Sequence, residues 1–367
     1  MRKLLLLLLI IPATAFAQEK PKNVILMIGD GMGLSQLSTA YYFEPESEPN
    51  FSRFPFIGLI NTSSAKELIT DSAAGATAFA CGIKSYNGAI SVDTLEQPVP
   101  TLVEIVEQRK VKTGLIATSS ITHATPACFY AHVPSRKMAE EIALALPESG
   151  VDFFAGGGLK FFNHREDKKD LIKELEKNGY EVSIDPIKTE VRRSKKKKYG
   201  YLLADNGLPS KLEGRDDFLT DATIAALSYL STSKDGFFLM VEGSQIDWEG
   251  HAANADGIIQ EVRDFDKAIG AALDFAERDG ETLVIVTADH ETGGFALSPG
   301  QKDGAWQYND IQPEFYKGAT DLSYAAHTTT LIPVLAYGPR SVDFAGIYQN
   351  TGIFHKIMAA TGWMEKK

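Results

Sequence analysis

The sequence predicts an α/β protein: a three-layer α/β/α sandwich around a central, mostly parallel sheet. Two observations carry that expectation. Short apolar runs alternate along the 367 residues with segments of helical periodicity, and such alternation places helices on both faces of a parallel sheet. Acidic and imidazole side chains also recur just after the apolar runs, which is where open α/β sheets bind their ligands.

The apolar runs cover residues 24–28, 114–117, 151–155, 236–241, 282–287 and 332–336. They are continuous rather than alternating, so they read as parallel strands buried on both faces. Helical patterns cover 101–109, 137–146, 167–177, 217–230, a long stretch at 253–278, and 352–360. The stretch 291–323 has little periodicity and is rich in Gly, Gln and Asp; it reads as a loop excursion near the site. No internal repeat and no Pro/Gly/Ser-rich linker divides the chain, so residues 18–367 read as one domain.

Residues 1–17 read as a signal peptide. Arg2 and Lys3 precede an apolar stretch at 4–11, and Ala15-Phe16-Ala17 is an A-x-A cleavage signal. The apolar stretch is too short to span a bilayer, so the mature protein is expected outside the cytoplasm, periplasmic or secreted, with no membrane partner. A hydrophobic content of 44% with 23% charged residues is that of a globular protein. The net charge of −11 argues against non-specific nucleic-acid binding, and the basic run at 192–198 reads as a solvated face. Two cysteines, Cys81 and Cys128, cannot build a disulfide scaffold. They form one bridge or remain two buried thiols.

The segment 69–77 reads Ile-Thr-Asp-Ser-Ala-Ala-Gly-Ala-Thr. Its alanines favour a helix and set the Ser72 hydroxyl at an N-terminus that attracts anions. Alone, the segment reads more readily as a helix cap, since Ser and Asp are the usual caps. The rest of the chain reverses that reading. Asp247 and His251 are four apart, and on a helix they share one face. Asp289 and His290 are adjacent just past a strand, and His327 comes from a third segment. Oxygen and nitrogen donors without thiolate suit a catalytic zinc. Asp30, Thr125 and Glu242 offer oxygen only, which suits magnesium. His123 also follows a strand end. His132, His164 and His355 have no such setting and read as ordinary, while spacing alone leaves His327 undecided.

Together these segments resemble the alkaline phosphatase family. The likeness runs from Asn23-Val-Ile-Leu-Met-Ile-Gly-Asp-Gly-Met-Gly33 to about Pro339. It takes in segment 69–77, His123-Ala-Thr-Pro-Ala127 with Arg136, Val241-Glu-Gly-Ser-Gln-Ile-Asp-Trp-Glu-Gly-His-Ala-Ala-Asn254, Thr287-Ala-Asp-His-Glu-Thr-Gly-Gly294 and Ala326-His-Thr328. Several long motifs in order are specific where one short match is not. The resemblance implies hydrolysis of phosphate monoesters through a phosphoserine at Ser72, in phosphate scavenging at alkaline pH. It implies one zinc held by Asp247, His251 and His327. A second would take Asp30, Asp289 and His290, with Ser72 as its exchangeable ligand. A magnesium would take Asp30, Thr125 and Glu242. Arg136 would grip the phosphate, with Asp71 orienting it. The family's usual homodimer is expected too.

Positions 123 and 248 hold His and Trp, where well-known bacterial members have Asp and Lys. Both flank the magnesium and phosphate positions, and His123 resembles the animal enzymes. A lysine lost beside phosphate should loosen the product. Among rivals, sulfatases need a formylglycine motif, and diesterases often use Thr and lack the magnesium triad. A binding protein that has lost catalysis would have no reason to keep a complete nucleophile and metal set.

Overall fold

The structure, a computed structural model, describes residues 19–43, 48–189, 194, 197–316 and 326–364. The expected signal peptide, and part of the basic run at 192–198, lie outside them. The strands are β1 Asn23–Gly29, β2 Phe56–Asn61, β3 Lys112–Ser120, β4 Phe153–Gly157, β5 Tyr180–Ser183, β6 Lys198–Leu202 and β7 Phe237–Gly243. They continue as β8 Thr282–Thr287, β9 Glu291–Thr292, β10 Ala296–Lys302, β11 Ala305–Glu314, β12 His327–Thr328, β13 Ile332–Tyr337 and β14 Gly346–Gln349. The helices are α1 Leu34–Tyr42, α2 Ser72–Cys81, α3 Leu102–Glu107, α4 Ala124–Ala127, α5 Ala139–Ala145, α6 Lys160–Asn163 and α7 Leu171–Lys177. Next come α8 Phe218–Leu230, α9 Gln245–His251, α10 Ala255–Asp279 and α11 Gly352–Thr361.

Ten strands form one sheet in the order β14-β2-β13-β8-β1-β7-β3-β4-β6-β5. This is the expected α/β architecture. Its centre is made of the most apolar runs: β1, β7 and β8 are buried along their whole length. Helices gather in two groups. α8 and α10 pack on the central strands, and α1 and α9 lean on α10; α2 packs with α3, α4 and α11. The 25-residue α10 shows why it docks: Ile258, Val262, Phe265, Ile269, Leu273 and Ala276 recur on one buried stripe. Burying each large apolar side chain there contributes about 1.5–3 kcal/mol. Asn254 caps its start, and Gly280, at φ +73°, ends it in the left-handed conformation.

Two expectations need correction. The run at 332–336 is a buried strand, but it runs antiparallel to both neighbours, β2 and β8. A continuous apolar run reports burial on both faces and carries no direction. The stretch 291–323, expected as a loop, contains the antiparallel hairpin β10–β11. Its strands are largely exposed, so no alternation marks them. The signal that was available is Asp303-Gly304 between Lys302 and Ala305, both at positive φ (53° and 77°). That pair is a two-residue hairpin turn signature. Strands β2, β5, β6 and β14 were not expected. Cys81 and Cys128 are both free and buried, and burial pushes the Cys81 thiol up to about 12.

Register fixes the site. Ile28 pairs with Glu242 on one side and Thr287 on the other. The three central strands therefore end level, and Asp30, Glu242 and Asp289 emerge together at their carboxyl ends.

Candidate active site

Ser72 is the first residue of α2 and is buried. The cap of that helix is Asp71: its Oδ1 accepts from Ala74 N at 3.0 Å and Gly88 N at 3.0 Å. Its Oδ2 accepts from Arg136 Nη1 at 3.1 Å. One carboxylate therefore fixes the helix start and the guanidinium together. Arg136 Nη2 lies 3.1 Å from His123 Nε2. A guanidinium only donates, so this nitrogen accepts and the ring proton sits on Nδ1. Burial, with the neighbouring Arg136 charge, brings the His123 pKa down to about 3. Trp248 packs edge-on to His123, with ring centroids 5.9 Å apart.

Around the Ser72 hydroxyl, His290 Nε2 is 3.3 Å away and Asp30 Oδ1 3.5 Å. His290 Nε2 is also 3.4 Å from Asp30 Oδ1 and 3.3 Å from Asp289 Oδ2. Asp289 is aimed by its backbone surroundings, since its Oδ1 accepts from Gly31 N and His290 N. Beside this group, Asp247 Oδ1 lies 3.3 Å from His251 Nε2 and 3.4 Å from His327 Nε2. The two imidazole nitrogens are 3.1 Å apart. His327 Nδ1 donates to Thr70 O at 2.9 Å, which turns Nε2 toward the cluster. Asp247 and His251 sit one turn apart on α9, as their spacing predicts.

These separations have a physical meaning. Donors about 2.0–2.2 Å from a tetrahedral zinc are about 3.3–3.6 Å from each other. The separations of 3.3–3.4 Å in the two groups match that edge length, and the His251–His327 contact of 3.1 Å is slightly shorter. Donor atoms of Asp247, His290 and His327 lie within 4.8 Å of one another, as do those of Asp30, Asp289 and His290. A third such group is Asp30, His123 and Glu242. With His123 Nε2 accepting from Arg136 and the ring proton on Nδ1, the donors this group offers are the oxygens of Asp30 and Glu242, and the Thr125 hydroxyl is buried without a hydrogen-bond partner.

The electrostatics run the same way. Asp30 is raised well above the usual carboxylate range by burial and then by Asp289 and Asp247. Burial lifts Glu242 to about 7, against a hydrogen bond from Ser244, and lifts Asp289 to about 6 with Asp247 adding to it. Burial disfavours the ionised form of Asp247, but its hydrogen bond with His327 and nearby histidines hold it below the usual range. Burial and His327 keep His290 neutral. Asp30 Oδ2, Asp289 Oδ2, Glu242 Oε1, Thr125 Oγ1 and His123 Nδ1 are all buried without a hydrogen-bond partner. Buried polar atoms are nearly always paired, and unpaired carboxylates in a low dielectric are costly. The donor set therefore fits divalent cations.

The structure brings together every residue the motifs suggested: Asp30, Asp71, Ser72, His123, Thr125, Arg136, Glu242, Asp247, Trp248, His251, Asp289, His290 and His327. His132, by contrast, bonds Glu104 and Ser91, and His355 bonds Gly82 O. Sequence reasoning missed the supporting hydroxyls. Ser244 donates to Glu242 Oε2 at 2.7 Å, with Ser119 at 3.3 Å, and Thr292 bonds Asp247 at 2.5 Å. Single hydroxyls carry no spacing signature.

The family model described as Alkaline phosphatase matches residues 21–314. Alkaline phosphatase 3 of Bacillus subtilis is 35% identical, covering 94% of this chain and 89% of its own length. Alkaline phosphatase of Escherichia coli is 31% identical, covering 94% and 87%. The solved alkaline phosphatase of the Antarctic bacterium TAB5 is 50% identical with a TM-score of 0.89, covering 94% of this chain and 99% of that one. A variant of that enzyme was solved with magnesium bound in a site designated M3. The chain therefore belongs to the alkaline phosphatase family, enzymes that hydrolyse phosphate monoesters.

Proposed function

We propose that the chain hydrolyses phosphate monoesters through a phosphoserine at Ser72, with two zinc ions and one magnesium ion per chain, in phosphate scavenging at alkaline pH. One observation carries this reading: four buried oxygens without hydrogen-bond partners, on Asp30, Thr125, Glu242 and Asp289, lie at strand ends beside a serine at a helix N-terminus. Asp247, His251 and His327 would hold one zinc. Asp30, Asp289 and His290 would hold the other, with Ser72 as exchangeable ligand. Asp30, Thr125 and Glu242 would hold the magnesium. Ions so held supply Lewis acidity, easing ionisation of a serine hydroxyl and balancing the carboxylates.

The chain's own residues do the rest. Arg136, aligned by Asp71, grips two equatorial oxygens of the phosphoryl group; a planar fork matches them where an ammonium does not. The N-terminal amides of α2 favour the same anion. Ser72 Oγ attacks phosphorus, the bond to the alcohol oxygen breaks, and the alcohol leaves with a proton. Water then attacks the phosphoserine, releasing phosphate and restoring Ser72. His123 and Trp248 line the phosphate position without a lysine, which favours product release.

The same reading takes residues 1–17 as a cleaved signal peptide, 18–367 as one catalytic domain, and the mature enzyme as periplasmic or secreted. No described helix is long and apolar enough to cross a membrane. It also takes a homodimer as the working form, which Ile57 on β2 and Ile347 on the neighbouring edge strand β14 support, 61% and 72% exposed. A monomer mass in light scattering would remove that element.

The deciding experiment is a chelator-reversal assay on the mature protein, with an aryl phosphate monoester and the matching diester at pH about 9, where a metal-activated hydroxyl is ionised. Expected is monoester activity far above diester activity, lost on chelation and restored by zinc with magnesium. Dominant diester activity overturns the substrate assignment, and activity indifferent to chelation overturns the metal assignment.

A further inference from the structure

We infer that Thr292 is a positioning residue shared by the two zinc-type clusters: its one hydroxyl donates to Asp247 and accepts from His290, aligning a ligand of each. The inference rests on the reading above that these clusters hold zinc. Thr292 Oγ1 is 2.5 Å from Asp247 Oδ1 and 3.2 Å from His290 Nδ1. A carboxylate only accepts, and the short distance is that of a hydroxyl bonded to an anion. The single hydroxyl proton is thus committed to Asp247. Toward His290 the oxygen can only accept, so the ring proton lies on Nδ1. The Nε2 lone pair is then directed at Asp30, Asp289 and Ser72, the atoms it approaches at 3.3–3.4 Å. One hydroxyl therefore selects the tautomer of His290 and orients the carboxylate of Asp247.

The surroundings are shaped for this residue. Thr292 is fully buried. Gly31 sits at φ +71°, and a Cβ there would lie 2.7 Å from Thr292 Oγ1 and 2.8 Å from Asp247 Cα. A Cβ on Gly250 would lie 3.0 Å from both Cβ and Cγ2 of Thr292. The two glycines, one following Asp30 and one preceding His251, leave room for the hydroxyl on one side and the methyl on the other. The backbone adds to the link. Thr292 N donates to Gly31 O at 3.1 Å, and Thr292 pairs with His327 between β9 and β12. Four ligand-bearing segments meet on this one residue.

The test is zinc titration of the metal-free protein against a competing chelator, comparing wild type with Thr292→Val and Thr292→Ser. Loss of a partner that orients a metal ligand typically weakens affinity about 10–100-fold. The expectation is that wild type binds two zinc ions, Thr292→Val weakens both steps by that factor, and Thr292→Ser stays within a few-fold. A packing role predicts the reverse order, because Val keeps both branches and Ser loses the methyl. Tight binding of both ions by Thr292→Val, or weakening of one step alone, overturns the shared role while leaving the zinc reading intact. Wild type that binds fewer than two zinc ions overturns that reading and the inference with it. Metal-free circular dichroism checks folding. Should Thr292→Val not fold, Thr292→Ala against Thr292→Ser makes the same comparison.

Discussion

The cluster around Ser72 and the cluster around Arg215 are both buried and rich in carboxylates, yet they are satisfied in opposite ways. Arg215 bonds Glu261 and Asp264, and the Lys211 ammonium lies 3.1 Å from Asp264 Oδ1. Two cations face two anions, so the charges are balanced even though Arg215 Nε and Asp264 Oδ1 lack a hydrogen-bond partner. Around Ser72, Asp30, Glu242, Asp247 and Asp289 face one guanidinium, and Arg136 already serves Asp71. The difference separates a structural charge network from a functional one. A buried network that carries its own counter-charges needs nothing added. One left short of positive charge, with orphan atoms converging on a hydroxyl, is built around something that binds.

The largest effect is expected at Ser72. Ser72→Ala should lower monoester turnover on the order of 10³-fold or more, the scale seen when a nucleophile is removed. No phosphoenzyme should be trapped on acid quenching, whereas substantial residual turnover would show that the hydroxyl is a cap and not the nucleophile. The closed network offers the opposite signature. Arg215→Ala leaves Glu261 and Asp264 buried without their guanidinium and should cost about 3–5 kcal/mol in urea unfolding. The zinc titration should be unchanged, and altered zinc affinity would mean that the two clusters are not separate.

Arg136 sharpens the picture within the site. Arg136→Lys keeps the charge but cannot hold Asp71, His123 and a phosphate together. The Michaelis constant for an aryl phosphate should rise about tenfold or more, on the scale of one lost charge-assisted bond. An unchanged constant would mean that the fork geometry is unused.

The smallest effect expected is at the Glu104–His132 pair, 3.0 Å apart and partly exposed. Its hydrogen bond to His132 lowers Glu104 from its ordinary 4.5; burial opposes the charge on His132, but Glu104 raises it from 6.5. A lowered acid contributes above 4.5 and loses that contribution as pH falls through its folded value. A raised histidine contributes below 6.5 and loses it as pH rises. The pair is thus strongest between those values. Glu104→Gln keeps the capping box with Thr101 and should cost at most about 1 kcal/mol near pH 6. It should cost less near pH 9; an equal shift in urea midpoint at both would remove the ion pair as the cause.

Much of this was legible in the chain. The central strands are continuous apolar runs because both of their faces are covered, and burial of that kind is written in composition. The spacing of Asp247 and His251 already implied one face of a helix, and both lie on α9. What composition could not carry was direction and pairing. β13 looks like any buried strand until its neighbours are known. The strands β10 and β11 are exposed and held by their ladder, so side-chain pattern says little and only Asp303-Gly304 marks the turn. Among supporting residues, Ser244, Ser119 and Thr292 are isolated hydroxyls whose meaning lies in what stands beside them.

By itself, the sequence determined which side chains could bear the chemistry and that they follow strand ends, because residue type and local period act over a few positions. Only the tertiary structure decided that the ends of β1, β7 and β8 lie level, that their carboxylates outnumber the cations near them, and that one hydroxyl joins Asp247 to His290. Those are distances between atoms far apart along the chain, and they are fixed by register and packing rather than by any local pattern.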